Sequence, residues 1–221
     1  MSRFLPIHQA EDLVGLVDYV GILPFFPCGI PGWSLEENCD ASVWFTDRDG
    51  PWEWKGSLTA EGRLVYGRFF QGKNVFVSRS LFPELANYRR DGYDFEGFYE
   101  DGLAPFKDKK LMTCLERGGA MQSRQLRKEC GVDKGYDACL ARLQMGTWVV
   151  NRDFVYSRDK QGRPYGWGNA LLDLPERFFG EEWLEQAEKH SAAESLDILL
   201  DRLNGIMPDI GRERFAQALK K

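Results

Sequence analysis

The residues best able to contact a ligand are lysines and arginines gathered in the middle third of the chain. Residues 106–170 contain 13 Lys and Arg against seven Asp and Glu, a net charge of +6, whereas the rest of the 221-residue chain carries −11. A basic segment inside an acidic protein is typical of a module that meets phosphate groups, although a solvated helical surface is an open alternative. The candidate phosphate-contacting residues are Arg124, Arg127, Lys128, Lys134, Arg142, Arg158, Lys160 and Arg163.

Aromatic side chains supply a second kind of candidate, because their rings can stack on an unpaired base. Trp52 and Trp54 flank Glu53 in the first half of the chain, and on a strand Glu53 would point to the opposite face. Tyr165 and Trp167 follow the basic helices. All four aromatic residues are candidates for base stacking, and packing of Trp167 over a small core is an equal alternative.

The sequence predicts three helices in the region that contains the first five candidate phosphate-contacting residues. Asp108, Ser123 and Asp133 are the expected N-caps, and each precedes apolar residues at helical spacing. Each pattern stops at glycine, which favours the end of a helix. On the third helix, Tyr136 and Leu140 are expected in the core. Lys134 and Arg142 are placed to reach phosphates or base edges, and Gln144 is placed either to contact a base or to face solvent.

After the third helix the period changes to two, from 147 to 156 and again through 165 and 167, with a turn at 159–162. This pattern predicts a β-hairpin, with Pro164 on an edge strand because proline lacks an N–H donor. Three helices followed by a hairpin is the order of a winged helix-turn-helix, a module that binds double-stranded DNA. We therefore predict such a module over residues 106–170.

The flanking regions predict an α+β protein overall. Residues 1–105 are read as an aromatic-rich section with an antiparallel sheet between 43 and 78 and an irregular buried segment at 20–27. An acidic, aromatic loop at 91–101 is the candidate boundary. Residues 171–221 are read as a helical tail. Short helices are further expected at 11–19 and 80–88.

Several function classes are disfavoured by composition. No run of about 18 apolar residues exists, so no membrane span is expected. The five Cys form no Cys-x-x-Cys pair, and the two His lie far from them, so no metal site and no cofactor are predicted. Reduced thiols and the broken N-terminal start favour a cytoplasmic protein.

Five stretches of the chain resemble short bacterial proteins related to the AlkZ-like DNA glycosylases. They are LPFF at 23–26, GPWEWKG at 50–56, NYRRDGYDF at 87–95, RLQM at 142–145 and PYGWG at 164–168. The resemblance implies winged helices arranged around DNA and a repair function on alkylated or crosslinked bases. The catalytic mark of the full-length enzymes is Gln-x-Gln or Gln-x-Asp, and this chain has neither. The resemblance therefore implies DNA association more than catalysis.

A glycosylase would need a carboxylate or amide to orient water beside the sugar. The candidates in the first section are Glu36, Glu37, Asp40 and Glu53. Two other functions fit the same patterns. One is a transcriptional regulator with an N-terminal sensing section, and the other is a scaffold whose winged helix packs only on its own chain.

Overall fold

The computed structural model of the protein describes residues 3–44 and 49–220, apart from the side chains at positions 164, 165 and 167. Its centre is a six-stranded antiparallel sheet, in the order β1-β3-β2-β5-β6-β4. The strands are β1 (Ile22–Pro24), β2 (Leu64–Phe70), β3 (Lys73–Ser78), β4 (Met121–Gln122), β5 (Val150–Arg158) and β6 (Pro164–Asp173). The α+β prediction is confirmed.

Helices precede, separate and follow the strands. They are α1 (Ala10–Val20), α2 (Leu35–Asn38), α3 (Ala41–Trp44), α4 (Pro51–Ala60), α5 (Phe82–Arg90), α6 (Phe95–Glu100), α7 (Phe106–Gly118), α8 (Ser123–Cys130), α9 (Tyr136–Met145), α10 (Pro175–Phe179), α11 (Glu181–Glu185), α12 (Ala192–Ile206) and α13 (Arg212–Leu219). None of the helices described here is long and apolar enough to cross a bilayer.

The larger hydrophobic core joins the first section of the chain to the C-terminal helices. The ring of Trp33 packs edge-on against Phe215, with centroids 5.3 Å apart. Polar contacts add to this packing, because Ser195 Oγ donates to Glu84 Oε2 at 2.6 Å and Asn87 Nδ2 donates to Ser195 Oγ at 2.8 Å. The C-terminal helices are therefore held against α5.

A second hydrophobic core lies among α6–α9, β4 and β6. The apolar residues expected to face the core in α7 and α9 are buried, which confirms those predictions. They are Leu111, Met112, Leu115, Tyr136, Cys139, Leu140 and Leu143. Strands of the sheet contribute residues to both cores, and within the described residues β2 pairs with β5 at Tyr66 and Asn151. This contact between β2 and β5 is the sheet junction, and it brings the two halves of the chain together.

The segment containing Trp52 and Trp54 is a helix, so the strand prediction there was wrong. Pro51 occupies the first helical position, where its missing N–H costs nothing, and Glu53 Oε2 accepts from the N–H of Gly50. Three turns of helix follow, with Trp54 and Leu58 buried on one face. Alternation over only three residues could not distinguish this helix from a strand.

Two other local predictions in the first half of the chain need correction. Ile22–Pro24 is a strand rather than irregular chain, and Pro24 is tolerated because β1 lies at the edge of the sheet. The predicted loop at 91–101 contains α6, capped by Asp94, whose Oδ1 accepts from the N–H of Gly97 at 2.7 Å.

The three helices and the hairpin of the basic segment are present, but their caps differ from prediction. Asp108 lies inside α7, and α9 begins after Gly135 instead of Asp133. Ser123 is the first residue of α8, after an N-cap at Gln122. The hairpin turn is as expected, with Asp159 Oδ1 accepting from the N–H groups at 161 and 163.

Candidate nucleic-acid interface

The predicted phosphate-contacting residues divide into two groups according to their partners. Arg124, Lys128, Lys134 and Lys160 are exposed, and within the described residues none has an ion pair. These four side chains can exchange hydrating water and counterions for phosphate at little structural cost.

Local contacts occupy three other cations of the set. Arg127 lies 3.7 Å from the Asp133 carboxylate, and Arg163 Nε donates to Asp159 Oδ2 at 2.8 Å. Arg158 donates to the carbonyl of Gly162 at 2.8 Å. All three remain exposed, so each can contact phosphate only by sharing or exchanging its present partner.

Arg142 has a structural partner that the sequence did not indicate. Its Nε and Nη2 donate to the two carboxylate oxygens of Asp108 at 2.8 and 2.6 Å. The hydrogen bond to Asp108 raises the pKa of Arg142. Because the Asp108 side chain is only 4% exposed, Arg142 neutralises a buried charge and is a poorer candidate for phosphate contact than its neighbours.

A cleft of about 420 Å³ lies between the first section of the chain and the basic segment. Aromatic rings from the first section and from the basic segment form one part of its wall. The Trp52 ring lies 5.1 Å from Phe25 and 5.9 Å from Phe26, and the Tyr66 ring lies 5.8 Å from Phe154. The cleft thus presents flat apolar surfaces of the kind on which a base stacks.

Amide groups form another part of the wall. Gln144, predicted to reach a ligand or face solvent, is only 1% exposed. Its Nε2 donates to Asn151 Oδ1 at 3.0 Å, and its Oε1 accepts from the N–H of Arg68 at 3.3 Å. Asn169 Nδ2 donates to Gln122 Oε1 at 3.1 Å. Because these amides are already oriented, they can offer fixed donors and acceptors to a ligand.

Two cations also line the cleft. Lys55 Nζ donates to the carbonyl of Trp52 at 3.2 Å and lies 5.0 Å from the Trp52 ring and 4.7 Å from the Phe154 ring. Burial lowers the pKa of Lys55. Arg68 has no ion pair among the described residues, which leaves its guanidinium available to a ligand in the cleft.

The predicted stacking residues have different positions. Trp52 lines the cleft and is half-buried. Trp54 is only 2% exposed inside the larger core, so its stacking prediction was wrong. On a strand, Trp52 and Trp54 would share one face, but on helix α4 their side chains point about 160° apart. The side chains of Tyr165 and Trp167 lie outside the described part of the structure, and their prediction is untested.

The four candidate carboxylates do not line the cleft. Glu53 caps α4, Glu37 accepts from Ser34 Oγ and the N–H of Gly32, and Asp40 accepts from the N–H of Ser42. Glu36 is exposed on α2. Among the residues that line the cleft, the carboxylate is Asp137, in the first turn of α9.

The functional candidates that composition and spacing missed are Phe25, Phe26, Lys55, Arg68 and Asn151. A signal for several of them was present in the stretches that carry the family resemblance. Residues 23–26, 50–56, 142–145 and 164–168 each contribute at least one residue to the cleft. These stretches are far apart in sequence, and only the sheet junction brings them together.

The fold and the cleft define a mixed α+β protein with an aromatic and amide-lined cavity beside a basic three-helix segment. The family model described as AlkZ related matches residues 7–220, and the chain belongs to this family. Membership relates the protein to the DNA-glycosylase-like proteins. Neither a curated protein nor a solved structure matches the chain.

Proposed function

We propose that the protein binds double-stranded DNA through a winged helix-turn-helix at residues 106–170 and accepts an unpaired base in the cleft. The order α7, β4, α8, α9, β5, β6, with β4 paired to β6, supports the winged-helix assignment. In that arrangement α9 is the recognition helix, and the turn at 159–162 is the tip of the wing.

The exposed cations support contact with the phosphate backbone. Arg124 and Lys128 lie on α8, Lys134 precedes α9, and Lys160 lies at the hairpin turn. These are the positions from which a winged helix meets the strands on either side of a groove. Contacts of this kind fix the position of DNA and carry no sequence information.

The composition of the cleft is the observation that carries the proposal. An extruded base needs flat rings to stack on and fixed polar groups for its edge, and the Trp52 ring and the Gln144–Asn151 pair supply these. Lys55 and Arg68 can donate hydrogen bonds to the phosphate of the same nucleotide. Asp137, on the cleft wall, is the carboxylate at which cleavage of the glycosidic bond would be tested first.

Replacing Arg124, Lys128 and Lys134 together with alanine will weaken duplex binding and reduce its salt dependence. Each phosphate contact releases counterions, so the slope of log K against log salt should fall by roughly 2 to 3. Fluorescence anisotropy with a random duplex over a range of salt concentrations measures this slope. The matched control removes three exposed charges elsewhere, at Lys189, Arg214 and Lys220.

Equal slopes for the parent and the first triple variant would contradict phosphate contact by this module. Absence of binding even at low salt would favour the scaffold interpretation. A regulator would instead show strong preference for one duplex sequence, since sequence is recognised through base edges.

Replacing Trp52 with alanine will reduce the preference for a duplex that carries an unpaired base. Stacking contributes about 1–3 kcal/mol per base, so the ratio of affinities for bulged and fully paired duplex should fall by about fivefold to a hundredfold. Competition binding of the two duplexes to the parent and the variant measures the ratio. Trp52→Phe keeps a ring at this position and should retain most of the preference.

Unchanged preference in a folded Trp52→Ala variant would exclude the cleft as the base site. The salt experiment would be unaffected by that result, because it depends on cations outside the cleft.

A further inference from the structure

A second cavity, of about 290 Å³, lies where α5, α6, α7 and α9 meet. Its wall is mostly apolar, and Leu103, one of its residues, is 52% exposed. The other apolar lining residues are Phe95, Phe98, Ala104, Pro105, Leu143, Met145 and Trp148. A cavity of this size and lining is at the lower end of the range for small-molecule sites.

Arg89 gives this apolar wall an uncompensated charge. The residue is only 2% exposed, and its Nη1 donates to the carbonyl of Met145 at 2.6 Å. Its Nε and Nη2 are buried and have no hydrogen-bond partner within the described residues. Burial lowers the pKa of Arg89 to about 10, so the guanidinium is still charged at neutral pH.

The other charged groups of the cavity do not neutralise Arg89. Asp108 and Arg142 also line it, but both Asp108 oxygens accept from Arg142. The lining residues therefore carry a net charge of +1. A buried, unpaired charge is strongly unfavourable in an apolar surrounding, and an anion in the cavity would remove that cost.

We propose that this cavity binds a small apolar monocarboxylate, with its carboxylate on Arg89 and its hydrocarbon body packed against the rings of Phe98 and Trp148. Nε and Nη2 form one edge of the guanidinium, the edge that matches the two oxygens of a carboxylate. A single unpaired cation among apolar side chains suits one negative charge better than the dianion of a phosphate ester. Since both nitrogens are covered by the wall, binding includes a rotation of the guanidinium toward the cavity.

The inference is independent of the proposed DNA binding. Of the candidate phosphate-contacting residues only Arg142 lines this cavity, and the cleft that accepts a base has no lining residue in common with it. Arg89 and Phe95, from the stretch at 87–95, line this cavity, whereas no residue of that stretch lines the cleft.

Titration calorimetry of the full chain at neutral pH tests the proposal with 3-phenylpropionate and its neutral counterpart 3-phenylpropanol. In the parent, the acid should bind about tenfold or more tightly than the alcohol, because only the acid pairs with Arg89. In Arg89→Met this difference should disappear, while the melting temperature stays equal or rises because a buried unpaired charge has been removed. Arg117→Met removes one exposed charge and should bind both compounds as the parent does.

Equal affinity of the parent for acid and alcohol, or binding of neither at millimolar concentration, would overturn the proposal. So would an unchanged preference for the acid in Arg89→Met. If Arg89→Met fails to fold, Ala104→Phe tests the proposal instead, because a ring at position 104 fills the cavity and leaves Arg89 in place. That variant should lose both compounds, and acid binding at parental affinity would place the ligand elsewhere.

Discussion

Replacing Trp148 with alanine will lower the free energy of unfolding by about 3–5 kcal/mol, the usual cost of removing a large aromatic side chain from a core. Trp148 is buried where α9 leads into β5, with its ring centroid 5.5 Å from Phe95 and 5.8 Å from Phe98. The guanidinium of Arg90 lies 4.4 Å above the ring. Urea unfolding monitored by circular dichroism measures the change.

Two control variants show whether the loss of stability comes from removing the buried ring. Trp148→Phe keeps a ring between α6 and α9, so its cost should be clearly smaller than that of alanine. Val155→Ala changes an exposed position on β5 and should alter the free energy of unfolding by no more than about 0.5 kcal/mol. A parental unfolding midpoint for Trp148→Ala would mean that the packing of Trp148 on α6 is misassigned.

Replacing Arg142 with alanine will lower the free energy of unfolding by about 1–3 kcal/mol. Its Nε and Nη2 are the partners of the Asp108 carboxylate, and a buried carboxylate that loses its donors bears a desolvation cost of this order. The half-exposed position of Arg142 keeps the expected cost below that of a fully buried ion pair. Differential scanning calorimetry checks the size and sign of the change.

The stability of Lys134→Ala separates this structural effect from DNA binding. Lys134 is exposed and without an ion pair in the described chain, so the substitution should leave the melting temperature unchanged. In the Arg142→Ala background, Asp108→Asn removes the orphaned charge and should restore part of the stability. If Arg142→Ala melts with the parent, the ion pair with Asp108 makes no net contribution to stability, and the predicted cost is wrong.

The helices and the hairpin of the basic segment were predictable because the signals that specify them are local. Leu111 and Leu115 repeat at helical spacing, and glycines at 119 and 131 adopt the positive φ that ends a helix. The turn at Asp159 follows from side-chain bonds to the next few residues. The same local reasoning failed at 51–60, where Trp-Glu-Trp fits a strand and the signals for a helix are Pro51 at the first helical position and capping by Glu53.

The candidate site was predictable only in part, and its members show why. The exposed cations on α8 and before α9 could be named from charge alone. Gln144 could not be placed, because its direction depends on Asn151 and on the backbone of Arg68, 76 residues earlier. The same holds for Arg142, whose position depends on a carboxylate 34 residues earlier in the chain.

The sequence by itself determined the helices and the hairpin of the basic segment, the separation of acidic and basic regions and the family of this protein. Only the tertiary structure decided which side chains form cavities. The pairing of Tyr66 with Asn151, together with the packing of α4 on β5 and of α9 on β2, sets the first section against the basic segment and brings Trp52 and Gln144 to one cleft. Such contacts depend on packing between residues distant in the chain, whereas periodicity and capping report only on near neighbours.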